Sequence, residues 1–260
     1  MRLLFVGDII GGVGRDCLQR ALPAHPADFV IVNGENTAAG FGLTPKLFAE
    51  LRELGADVVT SGNHIWNRKD IFPLLQANEE RLLRPANLPK KAYGRGWTVV
   101  EKQGVRVAVI NLLGRVFMEP CDSPFDAADR ILAELRGQAD LTLIDFHAEA
   151  SAEKGALAWH CDGRVTAVVG THTHVQTADE RRLPRGTAFI TDVGMTGPRD
   201  SIIGVKPDLA LHKMVTGMPV RFEVAGGPCL FNALLLECDP ATGTVTKLER
   251  LNENYAEQKL

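Results

Sequence analysis

The 260-residue sequence predicts an α/β sandwich of mixed β-sheets flanked by helices. Three observations carry that expectation. Short β-branched runs recur along the chain, most of them ending in Gly, Asn or Asp. Helix-like stretches lie between several of these runs in the first half. The later part changes to meandering strands joined by Gly- and Pro-rich turns.

Taken in order, the expected strands are Leu3–Val6, Phe29–Val32, Val58–Thr60, Val105–Asn111, Leu141–Phe146, Val165–Val169 and Ala188–Thr191. Thr44–Leu54 reads as a helix, with Leu47, Leu51 and Leu54 on one face, Thr44 as N-cap, Pro45 in the first turn and Gly55 beyond its end. Asp70–Gln76 is a shorter candidate. Ser123–Arg136 opens with Ser-Pro and carries Ala127, Ile131, Ala133 and Leu135 at helical spacing. Tyr93–Asn111 reads as a hairpin turning at Gln103-Gly104. Val220–Val224, Cys229–Glu237 and Val245–Leu251 complete the expected strands. No repeat, low-complexity tract or linker interrupts residues 1–260, which predicts a single domain. A doubly wound sheet is the competing architecture.

Composition is that of an ordinary globular protein, 45% hydrophobic and 23% charged. A formal net charge of -3 gives no electrostatic case for an extended nucleic-acid surface, while leaving a small nucleotide open. The five cysteines are scattered and form no C-x-x-C pair, which argues for a reducing compartment and against structural zinc. The first strand begins at Leu3, without a signal-peptide layout, and no apolar run approaches the ~20 residues that span a bilayer. The expected location is the cytoplasm.

The most informative stretch is Val165–His174, an apolar run delivering His172 and His174 to one side of an extended exit. Other strands end alike: Gly7-Asp8, Asn33-Gly34-Glu35-Asn36, Ser61-Gly62-Asn63-His64 and Asp145-Phe146-His147. In a layered α/β fold such ends converge on one crevice. They would bring together two carboxylates, two amides and four imidazoles. That set is too nitrogen-rich for magnesium or calcium and suits iron, manganese, zinc or cobalt. It also exceeds the needs of one ion. Two ions sharing a carboxylate, about 3.5–4 Å apart, would hold a phosphoryl group for in-line attack.

The order Gly-Asp, Gly-Glu-Asn, Gly-Asn-His, His, Gly-Thr-His-Thr-His resembles the calcineurin-like metallophosphoesterases, and more closely their YmdB-type branch of bacterial phosphodiesterases. The likeness runs from Asp8 through the Thr191–Gly197 segment. Two departures from the wider superfamily, Asp8-Ile9-Ile10 in place of D-x-H and Glu35 in place of a bridging aspartate, fit that branch. The resemblance implies a layered metallophosphoesterase-type sandwich. It implies Asp8, Glu35, Asn36 and His174 on one metal and Glu35, Asn63, His147 and His172 on the other, so that Thr173 spans the pair. It implies His64 as proton donor, iron or manganese before zinc or cobalt, and a homo-oligomer.

The expected function is therefore a dinuclear phosphodiesterase acting on a small phosphodiester such as a 2′,3′- or 3′,5′-cyclic nucleotide, by metal-bound hydroxide attack with His64 protonating the leaving group. Two alternatives stand: a phosphomonoesterase, protein phosphatase or nuclease on the same site, and a regulatory protein binding RNA-processing partners. The Gly7–Gly14 glycines do not meet G-x-G-x-x-G spacing and read as backbone bends. His25, His160 and His212 read as surface or packing residues, and Met195, Met214 and Met218 as core or interface filler. Arg199 and Ser201 either reach the phosphate or lie in a solvated loop. Asp192 either holds a ligand histidine or caps a turn. Asp145 alternates onto the side of His147 and is a candidate support for it.

Overall fold

The computed structural model of the chain describes residues 1–257. In the first half the elements are β1 (Arg2–Val6), β2 (Asp8–Ile9), α1 (Gly11–Ala21), β3 (Phe29–Asn33), α2 (Pro45–Glu53), β4 (Val58–Thr60), α3 (Phe72–Gln76), β5 (Trp97–Lys102), β6 (Val105–Leu113) and α4 (Pro124–Glu134). The second half adds β7 (Leu141–His147), α5 (Ser151–Cys161), β8 (Ala167–Thr171), β9 (Arg181–Arg182), β10 (Ala188–Ile190), β11 (Met195–Pro198), α6 (Pro207–Thr216), β12 (Cys229–Asp239) and β13 (Thr244–Tyr255). The strands form two mixed sheets with helices on their outer faces. This is the sandwich expected, not the doubly wound sheet.

One sheet runs β2-β11-β12-β1-β3-β4, with β13 beside β12; the other runs β5-β6-β7-β8-β10-β9. Within the first, β1, β3 and β4 are parallel. Within the second, β6, β7, β8 and β10 are parallel. The two-residue side-chain period explains the layers. Leu3, Phe5, Phe29, Ile31, Leu234 and Leu236 enter the core between the sheets, together with Val107, Val109, Leu141 and Leu143. Their neighbours Leu4, Val6, Val30 and Val32 face a second core under the helices of the first sheet. Strands covered on both faces read as continuous apolar runs, which is why they are visible in the sequence.

Helix ends follow their caps. The Thr44 hydroxyl accepts the Leu47 N–H at 3.3 Å, and Ser123 accepts that of Asp126 at 3.2 Å. Three helices lack a visible signal. α1 is hidden by Gly11, Gly12 and Gly14; a Cβ on Gly14 would lie 2.4 Å from the Thr196 carbonyl oxygen. α5 carries Lys154 on its buried face beside Leu157, Ala158 and Cys161, so its apolar stripe is broken by a charge. α6 buries only Ala210.

Several boundaries need correction. The expected strand Val220–Val224 does not form; only Val224 pairs, with Val205, because no neighbouring strand among the described residues flanks the segment. Val165 and Thr166 precede β8, which instead continues through Gly170 and Thr171. Asp70–Gln76 divides into a 3₁₀ turn, Lys69–Ile71, and the short α3, whose first turn accommodates Pro73. Met195 is core, but Met214 and Met218 are exposed and fill no core. All five cysteines are free, and no helix among the described residues is long and apolar enough to cross a membrane.

Candidate metal centre

The parallel strands of both sheets end at one edge, and their exits bend inward there. Bending needs close backbone approach. A Cβ on Gly7 would lie 1.9 Å from the Gly194 carbonyl oxygen, and one on Gly62 would lie 2.2 Å from the His147 ring and 2.4 Å from a Glu35 oxygen. Glycine at these two positions lets Asp8 and Asn63 reach the crevice.

Four of the expected residues meet there closely. His147 Nε2 lies 3.0 Å from Glu35 Oε1, 3.0 Å from His172 Nδ1 and 3.1 Å from Asn63 Oδ1. One ligand atom each from Glu35, His147 and His172 falls within a 4.8 Å span. Asp8 lies behind them, fully buried, accepting the His172 backbone N–H at 3.3 Å. Asn36 and His174 line the same cavity as Glu35, His64 and His172, outside the tight cluster. His64 donates its backbone N–H to Glu35 at 3.1 Å, and its ring meets Phe41 edge-on.

Three buried oxygens test whether cations fit. Asp8 Oδ1 and Asn36 Oδ1 accept no hydrogen bond, although burying such atoms unpaired is costly, and Glu35 Oε1 has only the His147 ring nitrogen beside it. All three belong to residues at this crevice, beside imidazoles that present lone pairs. The donor set therefore fits cations of the borderline type.

Supporting contacts fix which imidazole nitrogen points inward. The Thr171 hydroxyl donates to Asp145 at 2.7 Å and lies 3.0 Å from His147 Nδ1, so it accepts that proton and leaves Nε2 for the cluster. Asp145 is also held by Asn33 and Thr60, which makes it a buried support for His147. His174 Nδ1 donates to the Ile203 carbonyl at 2.9 Å, freeing its Nε2. His172 Nε2 faces Glu149 at 3.2 Å, freeing its Nδ1.

His172 and His174 both sit in left-handed backbone, at φ 100° and 65°, which is unusual for residues with a Cβ. Asp192 holds the turn between them. It accepts the Thr173 backbone N–H at 3.1 Å and its hydroxyl at 2.8 Å, and it pairs with the buried Lys154 ammonium at 2.6 Å. Asp192 thus grips the spacer, neither contacting a ligand histidine nor merely capping a turn.

Charge at the cluster is finely opposed. Burial favours neutral His147, but the Glu35 carboxylate and then Asp8 outweigh it and push its pKa up to about 9. His172, buried and next to that cation, falls to about 3. Burial would raise Glu35, yet His147 and His64 bring it down to about 2. Burial raises Asp8, and raises Asp145 to about 6. A proton thus occupies ground between Glu35 and His147 that a metal ion would take instead.

Other candidates lie elsewhere. Arg199 pairs with Asp200 in solvent, and Ser201 bonds the Pro198 carbonyl within its own loop. His25 stacks on Phe231 and meets Glu253, His160 meets Asp129, and His212 is exposed. Sequence reasoning missed Glu149, Lys154, Asn33 and Thr171. Glu149 continues the alternation of Asp145 and His147, a signal that was there to follow.

A family model described as YmdB-like protein matches residues 4–251. The chain is 48% identical over 255 residues, 96% of each sequence, to a protein of Bacillus subtilis (strain 168) named 2′,3′-cyclic-nucleotide 2′-phosphodiesterase. It superposes with a TM-score of 0.92 and 36% identity on the crystal structure of a novel phosphatase from Mycoplasma pneumoniae, covering 99% of this chain and 94% of that one. The 5′-nucleotidase precursor of Thermus thermophilus shares the fold alone, with a TM-score of 0.59 at 14% identity over 99% of this chain and 54% of that one.

Proposed function

Because the chain belongs to the YmdB-like family of phosphoester hydrolases, we propose that its strand-end cluster is a dinuclear metal centre hydrolysing a small phosphodiester, with a cyclic nucleotide as the favoured substrate class. The observation that carries this reading is the convergence of the buried oxygens of Asp8, Glu35 and Asn36 with the inward-facing nitrogens of His147 and His172. Asp8, Glu35, Asn36 and His174 would hold one ion; Glu35, Asn63, His147 and His172 would hold the other. Iron or manganese suits this oxygen–nitrogen set, with zinc or cobalt as replacements in vitro. Bound cations would supply Lewis acidity, offsetting charge on the phosphoryl oxygens and acidifying water.

The chain's own groups do the rest. Water forms the new bond to phosphorus and releases one proton to solvent, while the bond to the leaving oxygen breaks in line. An alkoxide leaves poorly, so it must receive a proton, and His64 is the group set to give one. The Asn67 side-chain amide lies 3.4 Å from His64 Nδ1 and orients the imidazole, whose protonated form would be the donor. Phe41 restrains the ring from its other side at 5.0 Å.

The five free cysteines support a reducing, cytoplasmic setting. Exposed Leu211, Met214, Val215 and Met218 on and after α6 supply an apolar strip that self-association would cover. Turnover of bis(p-nitrophenyl) phosphate and of p-nitrophenyl phosphate, with manganese added, tests the reaction class. Preference for the diester is expected. Equal or faster monoester turnover would overturn it in favour of a phosphatase.

A further inference from the structure

The cluster forms only one end of its cavity, whose volume is about 290 Å³. Polar ligand groups stand there, while the remaining wall is apolar and includes Phe41, Ile203, Val205, Phe222 and Val224. Among the described residues no lysine or arginine lines this cavity; its charged side chains besides Glu35 are Glu149 and Glu223. Sites that bind several phosphates are lined by cationic side chains or backbone nests. This one offers a single place for anionic charge, at the metal-binding end, where Glu149 already faces His172, and a carboxylate, Glu223, beside the Phe222 wall.

The aromatic wall is built and held. Phe41 stands edge-on to His64, with ring centroids 5.0 Å apart and planes at 87°. The guanidinium of Arg68 fixes its loop by bonding the Phe41 and Ala38 carbonyls at 3.1 and 2.8 Å. Far along the sequence, Phe222 carries the Lys213 ammonium 4.8 Å from its ring centre. Ile203, whose carbonyl fixes His174, is set by a strained turn, with φ 48° at Ile203 and 98° at Gly204. Strain of this kind persists where the surroundings over-determine a functional geometry.

We infer that Phe41, Ile203 and Phe222 form the specificity wall for the leaving group, taking the uncharged planar base of a mononucleoside cyclic phosphate, and that Glu223 disfavours substrates with a second phosphate. The inference rests on the phosphodiesterase reading. In a cyclic nucleotide the departing oxygen belongs to the nucleoside, so the residue that protonates it must stand on the nucleoside side. His64 stands there, against Phe41. A base stacked on that wall is held by its face, which every base possesses, so the wall selects for a base without selecting one sequence letter. Lys206, which does not itself line the cavity, pairs with Glu223 at 2.6 Å and orients that carboxylate.

Steady-state kinetics of the manganese-loaded protein separate the outcomes. The substrates are adenosine 2′,3′-cyclic phosphate, ribose 2′,3′-cyclic phosphate lacking a base, and the adenosine compound bearing an extra 5′-phosphate. The kcat/KM ratio of base-bearing to base-free substrate should fall about tenfold or more in Phe41→Ala and in Phe222→Ala, the size of one lost stack, and return in Phe222→Tyr. Glu223→Lys should raise kcat/KM for the 5′-phosphorylated substrate by about fivefold or more relative to the unphosphorylated one. Saturation-transfer NMR with adenosine, which needs neither metal nor turnover, should show base protons contacting the wild type and not Phe41→Ala. An unchanged substrate ratio, or equal wild-type turnover of the extra phosphate, overturns the inference. Failure to cleave any diester overturns the reaction class instead, and the adenosine contact then decides the wall alone.

Discussion

Thr171 joins Asp145 to His147: one hydroxyl donates to the carboxylate at 2.7 Å and takes the Nδ1 proton of the imidazole at 3.0 Å. All three residues are fully buried. Thr171→Val keeps the shape and deletes the relay, leaving two buried polar groups short of a partner. Metal affinity should fall by about 10–100-fold, the usual effect of losing such a support. Chelator competition measures it, and an unchanged dissociation constant would count against the relay.

The Lys154–Asp192 pair is nearly inaccessible to solvent, so removing one partner strands a charge. Lys154→Met should lower unfolding free energy by about 3–5 kcal/mol, whereas Lys154→Met combined with Asp192→Leu should cost less than the sum of the single changes. Urea denaturation gives the numbers. Simple additivity would show that the pair is not coupled.

Gly62→Ala is expected to empty the cluster without unfolding the chain, because its Cβ would land 2.2 Å from the His147 ring. Metal content of the purified protein should drop while its circular dichroism holds. Gly155→Ala is the contrasting change: nothing lies within 4 Å of that position in α5, and stability should rise by about 0.5–1 kcal/mol. Retained metal in the Gly62 variant would contradict the packing.

His64→Ala should slow hydrolysis of a diester with an alkyl leaving group by about 10²–10⁴-fold, and slow a p-nitrophenyl diester much less. The reason is that nitrophenolate departs without needing a proton. Both metals should stay bound by elemental analysis. Loss of metal in this variant would reassign His64 as a ligand.

Burial pushes the Cys161 thiol up to about 11 and Cys238 to about 12. Unfolded thiols lose their protons near 8.5. Between those values the unfolded chain binds fewer protons than the folded one, so stability falls as pH rises. At pH 10 the loss should be on the order of 1–2 kcal/mol per thiol. Urea titrations at pH 8 and pH 10 should show a smaller difference for Cys161→Ala/Cys238→Ala than for the wild type.

The sandwich was legible because its strands are covered on both faces and so read as unbroken apolar runs, as Phe29–Val32 does. The cluster was legible because Asp8, Glu35, Asn63, His147 and His172 each follow such a run directly. Supports were less visible. Lys154 reads as an exposed helical charge until the fold shows it under β8, where even a Cβ on Gly170 would touch its Cδ at 3.0 Å. The cavity wall was illegible for another reason: Phe41, Ile203 and Phe222 come from three loops that no local period connects. The false strand at Val220–Val224 had the right residue types but no neighbour to bond.

The position of β1 bears on how the crevice is assembled. Arg2–Val6 lies inside its sheet, paired on one side with residues 233–237, far along the sequence. Asp8 is likewise registered against Met195. The surroundings of Asp8 are therefore complete only once segments far apart in sequence have paired, contacts of the kind that form slowly in folding.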